Sequence, residues 1–300
     1  MNLFAYDYMV RALIGATIIG LAAPAIGIYL VQRRLSLIGD GLGHVALTGV
    51  GLGLLTQHSP VWTAVVVAVL GAVAVELVRE RGKASGDVAL AILFYGGISG
   101  GVVLTNLSAS KSSRSLVSYL FGTPLTTSAQ DLVVVGILGA VALTVALLLR
   151  PWLFAVSHDE EFARVTGLPI RLLNLTLAVT TAVTVTAAMR TVGLLLVSAL
   201  MVVPVATAQQ ITRGFRATMY LAMALGVSAS VAGIGVSWQA DSATGATIVL
   251  LSIVAFVVVT VGAGAARRVR AGRPSSARRP QDGATPDDAA AEPHEVVLGR

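Results

Sequence analysis

Asp40 and His44 stand four residues apart in the run RRLSLIGDGLGHVALTGVGLG, which begins at Arg33. On an α-helix, residues at that spacing lie one turn apart on the same face, with β-carbons about 6 Å apart. A carboxylate oxygen and an imidazole nitrogen so placed can share one divalent ion, and both donor types suit manganese, iron or zinc. No other charge follows Arg34 in this run, and an ionisable group left unpaired at membrane depth costs several kcal/mol. The competing reading makes Asp40 the cap of a helix starting near Gly39 and gives His44 a backbone carbonyl as partner. Spacing alone leaves both open.

The stretch from Ser157 to Pro169 carries a different signal. Ser157 and Glu160 have capping-box spacing, and Glu160 and Glu161 put negative charge at the positive end of a first turn. Phe162 and Val165 share a face, and Gly167 followed by Pro169 ends the segment. A short amphipathic helix is predicted here. It could lie on lipid, but its acidic start matches an anionic membrane surface poorly and a protein partner better.

Other polar residues offer less. Asn174, Gln209 and Gln210 sit near the ends of apolar windows, as helix-to-helix hydrogen-bonding residues do. Asp131 is expected at the start of the helix that follows it, and Asp241, after Trp238, at a boundary suited to an aromatic anchor and a cap. His58 and His158 are expected in loops, and His294 in the C-terminal tail. The chain has no cysteine, so any metal must be held by oxygen and imidazole. No phosphate-cradling glycine loop ending in Lys and Ser or Thr occurs, nor a Ser, His and Asp set, nor a two-histidine zinc-protease helix. Neither ATP hydrolysis nor other catalysis is expected of this chain alone.

The elements that position these residues follow from composition. Hydrophobic residues make up 55% of the 300 positions and charged residues 12%, about half the share of a soluble domain. Apolar residues gather in windows of about 20, the length needed to cross a hydrocarbon core of about 30 Å. Nine windows are found: Ala12 to Val31, Leu35 to Gln57, Pro60 to Val78, Val88 to Leu107, Leu132 to Leu149, Leu172 to Met189, Thr191 to Thr212, Ala217 to Gln239 and Ser242 to Ala266. The second carries Asp40 and His44 and could be a broken or re-entrant segment, which would leave eight. The first is uncharged and long enough to span, so it reads as a helix that stays and not as a cleavable signal. An all-α, polytopic membrane protein of eight or nine transmembrane helices is the resulting fold class.

The net charge of +6 does not form a basic face or an aromatic platform, so no nucleic-acid partner is expected. The basic residues punctuate the windows instead. With the N-terminus outside, the cytoplasmic side holds Arg33, Arg34, Arg79, Arg81, Lys83, Arg150, Arg164, Arg171, Arg213, Arg216, Arg267, Arg268 and Arg270. The outer side keeps Arg11, Lys111, Arg114 and Arg190, a strong positive-inside bias. Residues 1–266 read as the transmembrane domain, and 267–300, rich in Arg, Pro, Asp and Ala, as a disordered cytoplasmic C-terminal tail. Gly39, Gly41, Gly43, Gly49, Gly51 and Gly53 invite close helix approach, Pro24 and Pro204 should kink or interrupt their helices, and 108–128 reads as an outer loop with a short embedded segment.

The run from Arg33 resembles the segment after the first helix in permeases of the zinc and manganese ATP-binding-cassette importer family. GDVALAILFYGGISGGVVL, LFGTPLTTSAQDL, EEFARVTGLP, VGLLLVSALMVVPVATA and SWQADSATGATIVLL follow in the family's order, up to about Gly264. The resemblance implies a homodimer fed with metal by an extracytoplasmic binding protein and driven by two copies of a separate ATPase, in the cell inner membrane. It places Asp40 and His44 on the ion path, with zinc, manganese or iron as transported cargo and no permanently bound cofactor. It makes the segment with Asp159, Glu160, Glu161, Phe162, Arg164 and Gly167 a cytoplasmic coupling helix docking on the ATPase. Family members are commonly described with eight spans, one fewer than the windows counted here. The alternatives are an ion-gradient-driven secondary transporter with Asp40 as proton relay, and an embedded enzyme with Asp40 and His44 as acid and base.

Overall fold

A computed structural model describes residues 7–80, 86–108, 119, 120, 122, 128–189 and 192–271. The expected embedded segment within 108–128 falls largely outside them. Among the described residues the regular elements are helices: α1 Asp7–Gln32, α2 Ile38–Thr56, α3 Pro60–Glu80, α4 Gly86–Leu107, α5 Ala129–Leu148, α6 Arg150–His158, α7 Glu160–Val165, α8 Ile170–Met189, α9 Leu194–Ile211, α10 Phe215–Ala240 and α11 Thr244–Ala271. Nine of these, all but α6 and α7, are long and apolar enough to cross a membrane. In hydrocarbon a helix is the element that closes its own backbone hydrogen bonds, so each uncharged window becomes one. The fold is all-α and polytopic.

The doubtful second window is one continuous helix. α2 has 19 residues, about 28 Å of rise, and no break at Asp40 or His44. Pro24 and Pro204 likewise lie inside uninterrupted α1 and α9, contrary to an interruption at either. Pro24 leaves the carbonyl of Gly20 without its usual donor, and that carbonyl faces Gly226 of α10. Local chemistry sets several ends. Ser128 and Asp131 form a reciprocal capping box at the start of α5, while Gln57 and Asp241 end α2 and α10 in the left-handed region. Residues Met1–Ala263 form one compact unit. The second unit, Gly264–Arg300, is described only to Ala271. There α11 runs past the expected tail boundary at Arg267, and the remainder of that tail lies outside the described residues.

Burial sorts the spans into two classes. The cores of α1 and α8 are 72% buried and that of α2 67%, with α9 at 50%, whereas α4 is 17% and α11 11% buried. α1, α2, α8 and α9 therefore form the centre. Tyr29 on α1 is fully buried and donates to the carbonyl of Ala146 on α5 at 2.7 Å.

Close approach depends on small residues, because apolar side chains gain little by leaving lipid for one another. A β-carbon at Gly27 of α1 would collide with the backbone carbonyl of Met201 on α9, whereas one at Gly136 of α5 would meet nothing within 4 Å. Gly27→Ala is expected to destabilise the bundle by about 1–3 kcal/mol through overpacking. Gly136→Ala should leave it unchanged. Thermal unfolding of the two variants in detergent checks this, and equal midpoints would contradict the close α1–α9 contact.

Candidate functional site

Asp40 is the third residue of α2 and His44 the seventh, so both lie in the half of the helix nearest the turn from α1. Their side chains share a face as the spacing requires, with His44 Nε2 3.8 Å from Asp40 Oδ1. Asp40 caps nothing: α2 starts from Leu37 without a side-chain cap bond, and Asp40 Oδ1 instead accepts a long, 3.4 Å hydrogen bond from Ser198 of α9. The imidazole of His44 has its edge against Phe94 of α4, with ring centroids 4.3 Å apart. His44 Nδ1 is buried without a hydrogen-bond partner, so the backbone-carbonyl reading of this histidine fails as well.

Glycines on α4 bring this about. A β-carbon on Gly97 would lie 2.6 Å from the amide nitrogen of Val45, and Thr48 donates to the carbonyl of Gly97 at 2.8 Å. α4 thus lies directly on the backbone of α2 beside His44. An open groove of about 390 Å³ between the two helices is lined by Leu37, Asp40, Leu90, Ala91, Phe94 and Tyr95. Asp40 is 24% exposed to it, while His44 is 7% exposed. The Asp40 carboxylate therefore lines a groove with mostly apolar walls, and the His44 imidazole and the Ser198 hydroxyl lie beside that carboxylate. Among the described residues no third His, Asp, Glu or Cys joins them, so one chain offers an ion two strong ligands.

The second cluster is at α7. The expected capping box of Ser157 and Glu160 does not form, because Ser157 belongs to α6, which runs to His158. Asp159 is the cap instead, in extended conformation, its Oδ1 accepting from Phe162 N at 2.9 Å. The nearer side chain has taken the role, since an aspartate at the last extended position reaches the third amide directly. His158 is correspondingly helical and stacks on Phe154. Gly167 ends α7 as expected: with φ of 78° its amide bonds to Arg164 O, and Leu168 N reaches back to Ala163 O at 3.1 Å, a Schellman turn.

Within α7, Ala163 is fully buried while Phe162 and Val165 are 62% and 86% exposed. The apolar pair is turned away from the bundle. Glu161 is exposed, whereas Glu160 turns inward, with Oε2 3.1 Å from Arg33 and Oε1 3.6 Å from Arg164. Arg33 also donates to Asn174 of α8 at 2.6 Å. Arg79 pairs with buried Glu76, and Arg171 with Glu80, around a charged cavity of about 560 Å³ that Glu160 and Asn174 also line. Burial pulls the Arg33 guanidinium below its ordinary range, and Arg79 adds to this, while Glu160 and Glu76 oppose it.

Periodicity in the sequence did not reveal Ser198, Phe94 or the Arg33 cluster. Ser198 is 158 positions from Asp40, and Arg33 141 from Asn174. Asp159→Ala should weaken the start of α7 by about 1 kcal/mol, and Asp159→Ser should restore it. Amide exchange at Phe162 reads this out; identical exchange in wild type and Asp159→Ala would contradict the cap.

The profile of the ABC 3 transport family matches residues 5–263. The chain is 33% identical over 258 residues to the manganese transport system membrane protein MntC of Halalkalibacterium halodurans, covering 86% of this chain and 88% of that one. It is 28% identical over 253 residues to the high-affinity zinc uptake system membrane protein ZnuB of Haemophilus influenzae, covering 84% and 97%. Among solved structures, PsaBC from Streptococcus pneumoniae in complex with Fab superposes with a TM-score of 0.77 at 28% identity, over 86% of this chain and 92% of that chain.

Proposed function

This chain belongs to the ABC 3 transport family, and we propose that Asp40 and His44 form the ion site of its permease, holding divalent metal in transit. The protein is a membrane-spanning permease subunit of a metal importer. The observation that carries the site is the pairing of a groove-facing carboxylate with an imidazole that has a partnerless buried nitrogen, inside a bundle of spanning helices. Relatives named for manganese and for zinc support the cargo class, and carboxylate with imidazole accepts those ions or ferrous iron alike. An ion-gradient mechanism draws no support from these likenesses.

In this reading a separate ATPase supplies the energy, and an extracytoplasmic binding protein delivers the ion. α7 docks on the ATPase through Phe162 and Val165, with Asp159 and Gly167 shaping its ends and Glu160, Glu161 and Arg164 its charge. With two strong ligands in each chain, a second copy or water completes the coordination, in keeping with a homodimer. The orientation keeps the N-terminus outside and the C-terminus cytoplasmic, in the inner membrane, with residues 1–266 as the permease domain and 267–300 as an extension. It is supported by Arg33, Arg79, Glu160 and Arg171, in or beside connections all assigned to the inner side, which meet at one end of the bundle.

Asp40→Ala and His44→Ala should each lower manganese or zinc uptake by proteoliposomes containing the permease, its ATPase and its binding protein. The expected loss exceeds ~100-fold, since removing even an outer-sphere partner of a metal costs ~10–100-fold. Unfolding midpoints in detergent should stay near wild type. Normal uptake by both variants would overturn the ion-site assignment, and competition among manganese, zinc and ferrous iron identifies the cargo.

A further inference from the structure

The turn from α1 to α2 contains a buried cation whose neighbours come from three other elements. Arg33 has a side chain only 9% exposed. It reaches Asn174 on α8 at 2.6 Å and Glu160 on α7 at 3.1 Å, and the charges of the Glu76 and Arg79 pair of α3 act on it as well. Its backbone is fixed as well. Arg34 N bonds to Val31 O and Leu35 N to Leu30 O at 2.8 Å, and Arg34 takes the left-handed conformation at φ 59°. A non-glycine residue held there is strained, so this turn is set by its surroundings. Asp40 follows Arg33 by seven residues, three of them already within α2.

The cluster is not suited to pass a cation. Glu76, Glu80 and Glu160 are outnumbered by Arg33, Arg79, Arg164 and Arg171, and each of the three carboxylates is engaged by an arginine. What the geometry offers is a mechanical connection. Glu160 opens α7, the helix whose apolar pair faces outward, and it is held by Arg33, the first residue of the turn that leads from α1 into α2. A displacement of α7 must either carry Arg33 with it or break a charge-assisted pair whose arginine is buried.

We infer that Arg33 is a positioning residue that ties α7 to the start of α2, so that movement of α7 on its partner shifts Asp40 and His44 between states that hold and release the ion. The inference rests on the proposed ATPase docking of α7 and goes beyond it by naming the link. Asn174 serves as the fixed point on α8, a central helix of the bundle, and Glu160 as the moving one. Arg164, whose guanidinium lies 3.6 Å from the other oxygen of the same carboxylate, keeps Glu160 oriented when the pair is stretched.

The test uses the complete transporter in proteoliposomes, with manganese as the probe and ATP hydrolysis recorded alongside uptake. Wild type must first show ATP-dependent uptake; if it shows none, the functional reading fails before the link is examined. Given uptake, Arg33→Gln should lower the manganese moved per ATP hydrolysed by about tenfold, within the range expected of coupling between sites. Equilibrium manganese binding to the same variant should stay within about twofold of wild type, because the ligands are untouched. Glu160→Gln, a near-isosteric change at a half-exposed position, should lower the same ratio, and the charge-exchanged pair Arg33→Glu with Glu160→Arg should recover part of it. An unchanged ratio in both single variants overturns the link. So does a parallel fall of uptake, hydrolysis and thermal stability without recovery in the exchanged pair, which is the signature of a purely structural role.

Discussion

How closely α2 can lie against its neighbours governs everything else in this molecule. Lipid tails are as apolar as leucine, so helices in a membrane gain little by hiding such side chains from it. Association must come from contact of backbones and from hydrogen bonds between helices. Gly49 of α2 sits on the backbone of Ala64 in α3, Gly51 and Gly101 bring α2 and α4 together, and Thr48 donates across to α4. Widen that contact by a methyl group at Gly97 and the wall of the Asp40 groove moves with it. The proposed ion site is therefore a product of packing between small residues, and its polar atoms are placed by residues with almost no side chain.

Charge at the inner end obeys the opposite rule. There the side chains are long, and what matters is that each buried charge finds a partner, since an unpaired one is far costlier than a pair is beneficial. Arg33 and Glu76 are almost fully enclosed, and each is matched, one by Glu160 and Asn174 and the other by Arg79. Such pairs contribute modestly to stability. They are more useful as registry devices, because a shift of one helix relative to another leaves a charge stranded. Elements that must move between two positions, and rest in neither halfway, are well served by that penalty.

The sequence made some of this legible. Each of the nine windows became one helix long and apolar enough to cross a membrane, within about five residues of its expected ends, because hydrophobic length in lipid is almost a structure by itself. The shared face of Asp40 and His44 followed from helical spacing, and the glycine end of α7 from backbone sterics at Gly167. What failed was choice among close competitors: Ser157 has capping-box spacing as good as many, but α6 continues through it and Asp159 is left at the extended position. Of the kink or interruption that proline suggested in α1 and α9, the interruption is absent, since both helices run on through Pro24 and Pro204. Ser198 and the partners of Arg33 were out of reach, for they depend on which helices meet, and no local pattern encodes contacts made across more than a hundred residues.

The sparseness of the proposed ion site is itself instructive. A structural metal such as zinc is held by four protein donors, closed and rigid, and such a site would release its ion too slowly to serve a transporter. Here one helix supplies two strong donors a turn apart, a second adds a hydroxyl at the edge of hydrogen-bonding range, and the groove stays open on one side. Because both donors sit on the same helix, their separation barely changes when α2 shifts. What changes is their distance from Ser198 on α9 and from the wall formed by α4. A slide of α2 against its neighbours would therefore alter the surroundings of the proposed ion without moving its two ligands apart.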